Sequence, residues 1–235
     1  MKAEKDISKL ESIIEYKFNN IELLNRALMH SSYSNDKKMG KLNNNERLEF
    51  LGDAVLELCS SKFLFNEYPN KTEGELTKLR SSIVCEPTLA MCAREISLHK
   101  FIILGHGEEY TGGRYRDSIC SDAMEAVIGA LYLDGGFDTA YEFVKKFVLN
   151  DIENKQLFYD SKTILQEIVQ KTYKTSVEYN LLNEIGPDHN KEFEVNVTLN
   201  EMVLGTGKGR TKRKAEQQAA YEAILYLNKL DKQRG

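Results

Sequence analysis

The chain has no tryptophan, three prolines, four cysteines and four histidines in 235 residues. It contains no run of roughly 18 apolar residues, so no segment is expected to cross a membrane. Its first ten residues, MKAEKDISKL, lack the apolar core of a secretory signal, and a cytoplasmic location is expected. Cys59, Cys85, Cys92 and Cys120 follow one another at gaps of 26, 7 and 28 residues, with no C-x-x-C pair. No histidine stands at zinc-finger spacing from them, so they read as buried thiols in a reducing compartment. The low proline content and the absence of repeats exclude collagen-like and disordered chains. What remains is 41% hydrophobic and 29% charged, an ordinary globular composition. The length suits one or two domains, each able to bury a core.

Charge is unevenly divided. Residues 1–160 carry 20 basic and 26 acidic side chains, whereas residues 161–235 carry 12 and 10. Lys208, Arg210, Lys212, Arg213 and Lys214 fall within seven positions, one dense cationic spot on a chain of net charge −4.

The hydrophobic pattern divides in the same place. Helical periodicity is read over residues 7–14, 21–29, 45–68, 118–133 and 138–149, with Asn43, Asn44 and Asn45 as candidate caps for the longest. Thr72 and Glu75 form a capping-box pattern, and Pro87 separates two further helices. Residues 105–113 read as a loop. Beyond a short polar stretch, residues 163–173 read as a helix, 175–182, 192–199 and 202–205 as strands, and 211–230 as a final helix. The expected architecture is an all-α N-terminal domain over residues 1–152, a linker over 153–160 and an α-β-β-β-α domain over 161–231.

Two groups of acids stand out. Glu49 and Asp53 are one helical turn apart, with Glu46 a turn earlier, so all three share a helix face. Asp122 and Glu125 are three apart in SDAMEAVIGAL and are the only charges between Asp117 and Asp134. Acids spaced this way serve either a solvated face or a bound cation. Their apolar neighbours, Leu48, Phe50, Leu51 and Val55, favour the cation, since acids in so apolar a setting are costly unless paired or metal-bound. Hard oxygen donors suit Mg²⁺ or Mn²⁺ rather than zinc, which points to metal-assisted phosphoryl chemistry. Gly52, beside Asp53, would let another group approach closely.

Residues 45–58, NERLEFLGDAVLEL, resemble the signature of the ribonuclease III family. The likeness continues through Tyr16–Phe18, residues 23–33, Glu73–Arg80, Leu104–Glu109 and residues 121–136, SDAMEAVIGALYLDGG. The departures are mild, at Met29, Cys120, Ser121 and Met124, and none touches an acid. Further on, Lys162–Glu167, Gly186–Lys191 and Gly205–Gln217 resemble a double-stranded RNA-binding domain. In the residues themselves, Gly207 and Gly209 are expected to open a turn into a helix whose N-terminus receives phosphate. Lys212, Arg213 and Lys214 in the first turn oppose the helix dipole, a conflict an anion would remove.

The resemblance implies an endoribonuclease that hydrolyses double-stranded RNA to 5′-phosphate and 3′-hydroxyl ends with two-nucleotide 3′ overhangs. It would process ribosomal RNA precursors and other structured RNAs, messenger RNA among them. Glu49, Asp53, Asp122 and Glu125 would be catalytic and bind Mg²⁺, with Mn²⁺ able to substitute. Glu46 and Glu73 would be auxiliary acids, although Glu73 also suits the positive end of a helix dipole. Gln166, Glu167 and His189 would face minor grooves, and Lys212, Arg213 and Lys214 the phosphates between them. The family is a homodimer, and Phe50 would be a knob entering the partner subunit, where its residue pattern alone equally suits core. No small-molecule cofactor and no membrane partner are implied. The rival readings are a non-catalytic double-stranded RNA-binding protein, which the retained acids argue against, and a metal-dependent phosphohydrolase of small molecules.

Overall fold

The computed structural model describes residues 7–186 and 191–234, with the side chains of 230–234 excepted. The chain divides into two units, Met1–Ile152 and Glu153–Gly235. The first contains α1 (Ile7–Ile14), α2 (Ile21–Ala27), α3 (Ser31–Asp36), α4 (Glu46–Glu67), α5 (Glu73–Ile83), α6 (Glu86–Glu95), α7 (His106–Tyr110) and α8 (Asp117–Phe147). The all-α expectation for this part is met, and α3 and α7 are helices the residue pattern did not signal. Both are single short turns, α7 lying where a loop was expected, and tertiary bonds hold them. The His106 amide donates to Asp36 Oδ2 at 2.7 Å and the Gly105 amide to Ser32 Oγ at 2.9 Å.

The centre of this unit is the crossing of α4 and α8. Leu48, Val55, Leu56 and Cys59 from α4 are buried with Met124, Val127, Ile128 and Leu131 from α8. Each large side chain contributes about 1.5–3 kcal/mol by leaving water. The helices touch backbone to backbone. A Cβ on Gly52 would lie 1.8 Å from the carbonyl oxygen of Glu125, and one on Gly129 would lie 2.3 Å from that of Leu48. The start of α4 is tied down as well: the Asn45 amide donates to the Met29 carbonyl at 2.8 Å, beside the parallel bridge between Met29 and Ile103. Asn45 holds the N-cap position without a side-chain bond, and Asn44 just before it supplies one, its Oδ1 accepting from the Glu46 amide at 3.2 Å. The Thr72–Glu75 capping box is present in full. In α8, Gly136 (φ 79°) breaks the helical geometry between the two stretches read as helical, 118–133 and 138–149. The helix resumes at once, with Asp138 inside the next turn.

The second unit holds α9 (Ile152–Tyr159, its first residue buried in the first unit's core), α10 (Ser161–Tyr173), β1 (Glu178–Ile185), β2 (Glu192–Leu199), β3 (Met202–Gly209) and α11 (Lys212–Arg234). The strands form one antiparallel sheet in the order β1-β2-β3. The stretch 153–160, expected to be a linker, is thus helical as far as Tyr159. Its polarity hid two apolar side chains: Leu157 packs on the second unit's core, and Phe158 meets Tyr221 edge-on with ring centroids 5.5 Å apart. The Gln217 side-chain amide also donates to the Phe158 carbonyl at 2.8 Å. β1 lies three residues later than expected and carries a bulge between Leu181 and Asn183.

β3 is longer than expected, because Gly207 and Gly209 are strand residues rather than a turn. A Cβ at Gly205 would lie 2.4 Å from the Ala219 carbonyl oxygen, and one at Gly207 would lie 2.3 Å from that of Ala215. Bare strand backbone therefore meets the fully buried alanine face of α11, Ala215, Ala219, Ala220 and Ala223. Turn-forming freedom is not what these glycines supply; they supply clearance.

The crossing yields a direct expectation. Gly52→Ala or Gly129→Ala should each destabilise the protein by about 2–3 kcal/mol or more, since neither helix can yield without losing its core contacts. Gly107→Ala, whose Cβ would meet nothing within 4 Å, should be nearly neutral. Urea denaturation of the three variants checks the ordering; an unaffected Gly129→Ala would contradict the described packing.

Candidate active site and nucleic-acid interface

The Gly52–Gly129 contact determines what faces what around it. Asp53 follows Gly52 on α4 and Glu49 lies one turn before Asp53, while on α8 Glu125 stands one turn before Gly129 and Asp122 three residues earlier. Helices held this closely bring the four side chains into one electrostatic group. Burial pushes the Glu49 carboxyl up to about 7, reinforced by Asp122, Glu46 and Asp53. Burial pushes Glu125 up to about 8, reinforced by Asp53, Asp122 and Glu49. Asp122 is raised by burial and by repulsion from Glu86, partly offset by its Ser121 hydroxyl partner at 3.4 Å. Among the described residues, none of the four acids forms an ion pair with a lysine or arginine.

Clustered carboxylates without a counter-charge fit a divalent cation by donor chemistry: all oxygen, all hard, several available. Among the described residues, no three Asp, Glu, His or Cys side chains are gathered tightly enough to hold an ion as they stand. The electrostatic coupling is nevertheless explicit, and rotation of long Glu side chains is what ligation would require.

The other acids divide. Glu46 adds to the charge at Glu49. Glu73 does not join the group within this chain. It is exposed in the first turn of α5, accepts from the Thr77 hydroxyl at 2.9 Å, and lines a cavity of about 620 Å³ with Phe65, Tyr68, Leu76 and Arg80. Two groups near the acids escaped the sequence reading. Glu86 adds negative charge opposite Asp122, and half-buried His30 faces Glu108, Glu46 and Arg116. Neither lies in the helical acid pattern that drew attention to the rest.

Phe50 is 81% exposed, which excludes the core role within this chain. Leu58 and Phe65, at 58% and 73%, continue the same stripe along α4. Large apolar side chains aligned in water mark an interaction surface.

In the second unit, Gln166 is half-buried and Glu167 exposed on α10, which packs against α11. Lys212 and Arg213 are exposed and Lys214 half-buried in the first turn of α11, a turn with no acid of its own. Thr211 caps that helix, its hydroxyl accepting from the Lys214 amide at 3.2 Å. His189 lies outside the described residues. A helix N-terminus that collects three cations instead of anions suits a polyanionic ligand.

Residues 20–152 match the Ribonuclease-III-like family and residues 161–227 the double-stranded RNA binding motif. The chain is 48% identical to Ribonuclease 3 of Bacillus licheniformis over 97% of its own length and 92% of the relative's. It is 47% identical to Ribonuclease 3 of Listeria monocytogenes over 93% and 96%. Among solved structures, the nuclease domain of ribonuclease III from Campylobacter jejuni superposes with a TM-score of 0.57 at 42% identity. It covers 61% of this chain and 96% of its own, and is described as flexible in the region involved in dimer formation.

The acid cluster carries a pH dependence. In the folded protein Glu49 and Glu125 hold protons to about 7 and about 8, against 4.5 for an unperturbed glutamate. The folded state therefore binds more protons than the unfolded state between these limits, and metal-free stability should fall as pH rises through that window. Glu125→Gln removes one charge and should flatten the fall. In a chelator at pH 8 it should exceed the wild type by at least about 1 kcal/mol, after allowing for solvent screening. Thermal denaturation from pH 5 to pH 8 checks this, and a wild-type curve that rises over the range would contradict the cluster.

Proposed function

Because this chain belongs to the ribonuclease III family, we propose that Glu49, Asp53, Asp122 and Glu125 form its metal-dependent cleavage centre. The chain is an endoribonuclease acting on double-stranded RNA. In the proposed division of labour, residues 1–152 perform hydrolysis and residues 161–231 supply duplex affinity. One observation carries the reading: Glu49, Asp53, Asp122 and Glu125 are coupled electrostatically across a helix crossing, and among the described residues no lysine or arginine pairs with them.

Glu49, Asp53, Asp122 and Glu125 would hold Mg²⁺, or Mn²⁺ in its place. Held there, the ion would supply Lewis-acid activation of the attacking water and offset negative charge on the leaving 3′-oxygen. The acids orient that water and keep the centre negative enough to retain the ion. Rigidity of the crossing matters here, because misplacement of ligands by about 1 Å costs on the order of a hundredfold in rate. Glu46 extends the negative wall toward the substrate, and Glu73, apart from the cluster in its own chain, completes it as an auxiliary acid. The products would carry 5′-phosphate and 3′-hydroxyl ends, from ribosomal RNA precursors and other structured RNAs, in the cytoplasm where such substrates are made.

The exposed stripe of Phe50, Leu58 and Phe65 supports a homodimer, in which covering these side chains removes apolar surface from water. Two centres, one per strand, would then leave two-nucleotide 3′ overhangs. In the second unit, Lys212, Arg213 and Lys214 would contact phosphates, with Gln166, Glu167 and His189 toward the minor grooves.

Incubation with a long RNA duplex, with and without Mg²⁺, followed by end-group analysis tests the chemistry. Glu125→Gln should abolish cleavage and keep duplex binding; cleavage within a few-fold of wild type would remove Glu125 from the centre. Lys212→Ala combined with Arg213→Ala should weaken binding almost uniformly across sequences. It should also flatten the plot of log K against log salt by roughly 1–2 units. An unchanged slope would argue against phosphate contact at the start of α11.

A further inference from the structure

Lys212 is already occupied in the free protein. Its Nζ lies 3.3 Å from Glu184 Oε1, and Oε2 of the same carboxylate lies 3.7 Å from Lys191 Nζ. The placement follows from the sheet. Glu184 is the penultimate residue of β1 and pairs with Phe193 of β2, which in turn pairs with Gly209 at the end of β3. From Gly209 the chain passes directly into α11, so the far end of β1 and the start of α11 come together. Lys212 Nζ also stands 5.8 Å from the Phe193 ring centroid. One acid thus lies between a cation at the entry to β2 and a cation at the entry to α11. The Glu184 side chain is 38% exposed and that of Lys212 58%, so solvent and other anions can reach the pair.

We propose that Glu184 is an internal stand-in for backbone phosphate, which occupies Lys212 and Lys191 in the free protein and is displaced when duplex RNA binds. The inference rests on the reading of Lys212 as a phosphate contact. Its physical content is an exchange. On binding, Lys212 trades a carboxylate for a phosphate, and the RNA releases a condensed cation. The vacated Glu184 then attracts a cation of its own, so the net release of ions is smaller than the number of phosphate contacts. Glu184 therefore weakens duplex affinity and makes it less sensitive to salt. An enzyme that must release its products gains from a group that recaptures the lysine as the phosphate departs. A carboxylate that merely braced the two lysines in position would do the reverse, and its loss would weaken binding.

The test uses the full chain with a long RNA duplex in chelator, so that nothing is cut, with Kd measured over a series of salt concentrations. Glu184→Gln should bind about three- to tenfold more tightly, the range expected from releasing two exposed ion pairs. Its slope of log K against log salt should be steeper by about one unit. Glu201→Gln makes the same change of net charge in the β2–β3 turn, at the opposite end of the sheet, and should shift Kd less than about twofold, within what screening leaves of a distant charge. Lys212→Ala should weaken binding, and Glu184→Gln should gain less when added to it. If Lys212→Ala weakens binding but Glu184→Gln leaves it unchanged or weaker, or Glu201→Gln gains as much, the stand-in is overturned and Lys212 keeps its phosphate role. If Lys212→Ala has no effect, the underlying reading of Lys212 fails with it.

Discussion

Two helix backbones meet at Gly52 and Gly129 with no space for a side chain between them, and the first unit is organised by that contact. A crossing this close fixes both the separation of α4 and α8 and their relative register. A slide of one residue would set a Cβ against a carbonyl oxygen on either side. The surrounding core, Leu48, Val55 and Leu56 against Met124, Val127 and Ile128, holds the pair together, but apolar packing tolerates small shifts more readily than a backbone contact does. What the register places beside the contact is a set of acids that would otherwise avoid one another. Without metal, burial, reinforced by that avoidance, makes Glu49 and Glu125 retain protons. Part of the stability of the core is thus set against a site that repels itself, as expected where ligand binding rather than folding is the selected property.

The acid pattern was legible in the amino-acid sequence because it is local. A turn of helix separates Glu49 from Asp53, and three residues separate Asp122 from Glu125, so each pair shares a helix face whatever the tertiary fold. Their apolar neighbours were the second clue, since charge amid Leu, Ala, Val and Ile demands a partner. Even the close approach at Gly52 could be anticipated from a glycine placed inside a helix beside an acid. What could not be read was which surface Gly52 meets, because Gly129 lies 77 positions away in a stretch of mostly apolar residues. The exposed Phe50 was ambiguous for a related reason: an aromatic residue beside buried leucines looks the same whether it faces its own core or a second copy.

The misread segments share a cause. Gly207 and Gly209 look like a turn, since glycine before a capped helix usually is one; they are strand because alanines of α11 lie against them. Residues 153–160 look like a linker because they are mostly polar, and they fold because Leu157 packs on the second unit's core and Phe158 meets Tyr221 of α11. His106 and its neighbours form a helical turn because Asp36, 70 residues earlier, accepts their first amide. In each case local propensity was weak and a distant contact decided the outcome. The boundaries that were read well, the Thr72 capping box and the stop before Pro87, depend only on residues within one turn.

Glycine plays the same part in both units. At Gly52 and Gly129 it lets two helices approach until acids face acids; at Gly205 and Gly207 it lets α11 settle on β3, so that three cations open the helix where its own dipole disfavours them. Each arrangement gathers charge of one sign and is electrostatically incomplete by itself. The remedies in the free protein differ with burial. The half-buried carboxylates have little water to share and relieve one another by holding protons. Lys212, more than half exposed, instead leans on a neighbouring carboxylate, Glu184. Both remedies are weak by construction, a proton near neutral pH in one case and an exposed ion pair in the other. A ligand of the right charge therefore has only a provisional partner to displace. Net charge −4 is thus no guide to either site: the sign that matters is that of each site, and each is held by close contact at a glycine.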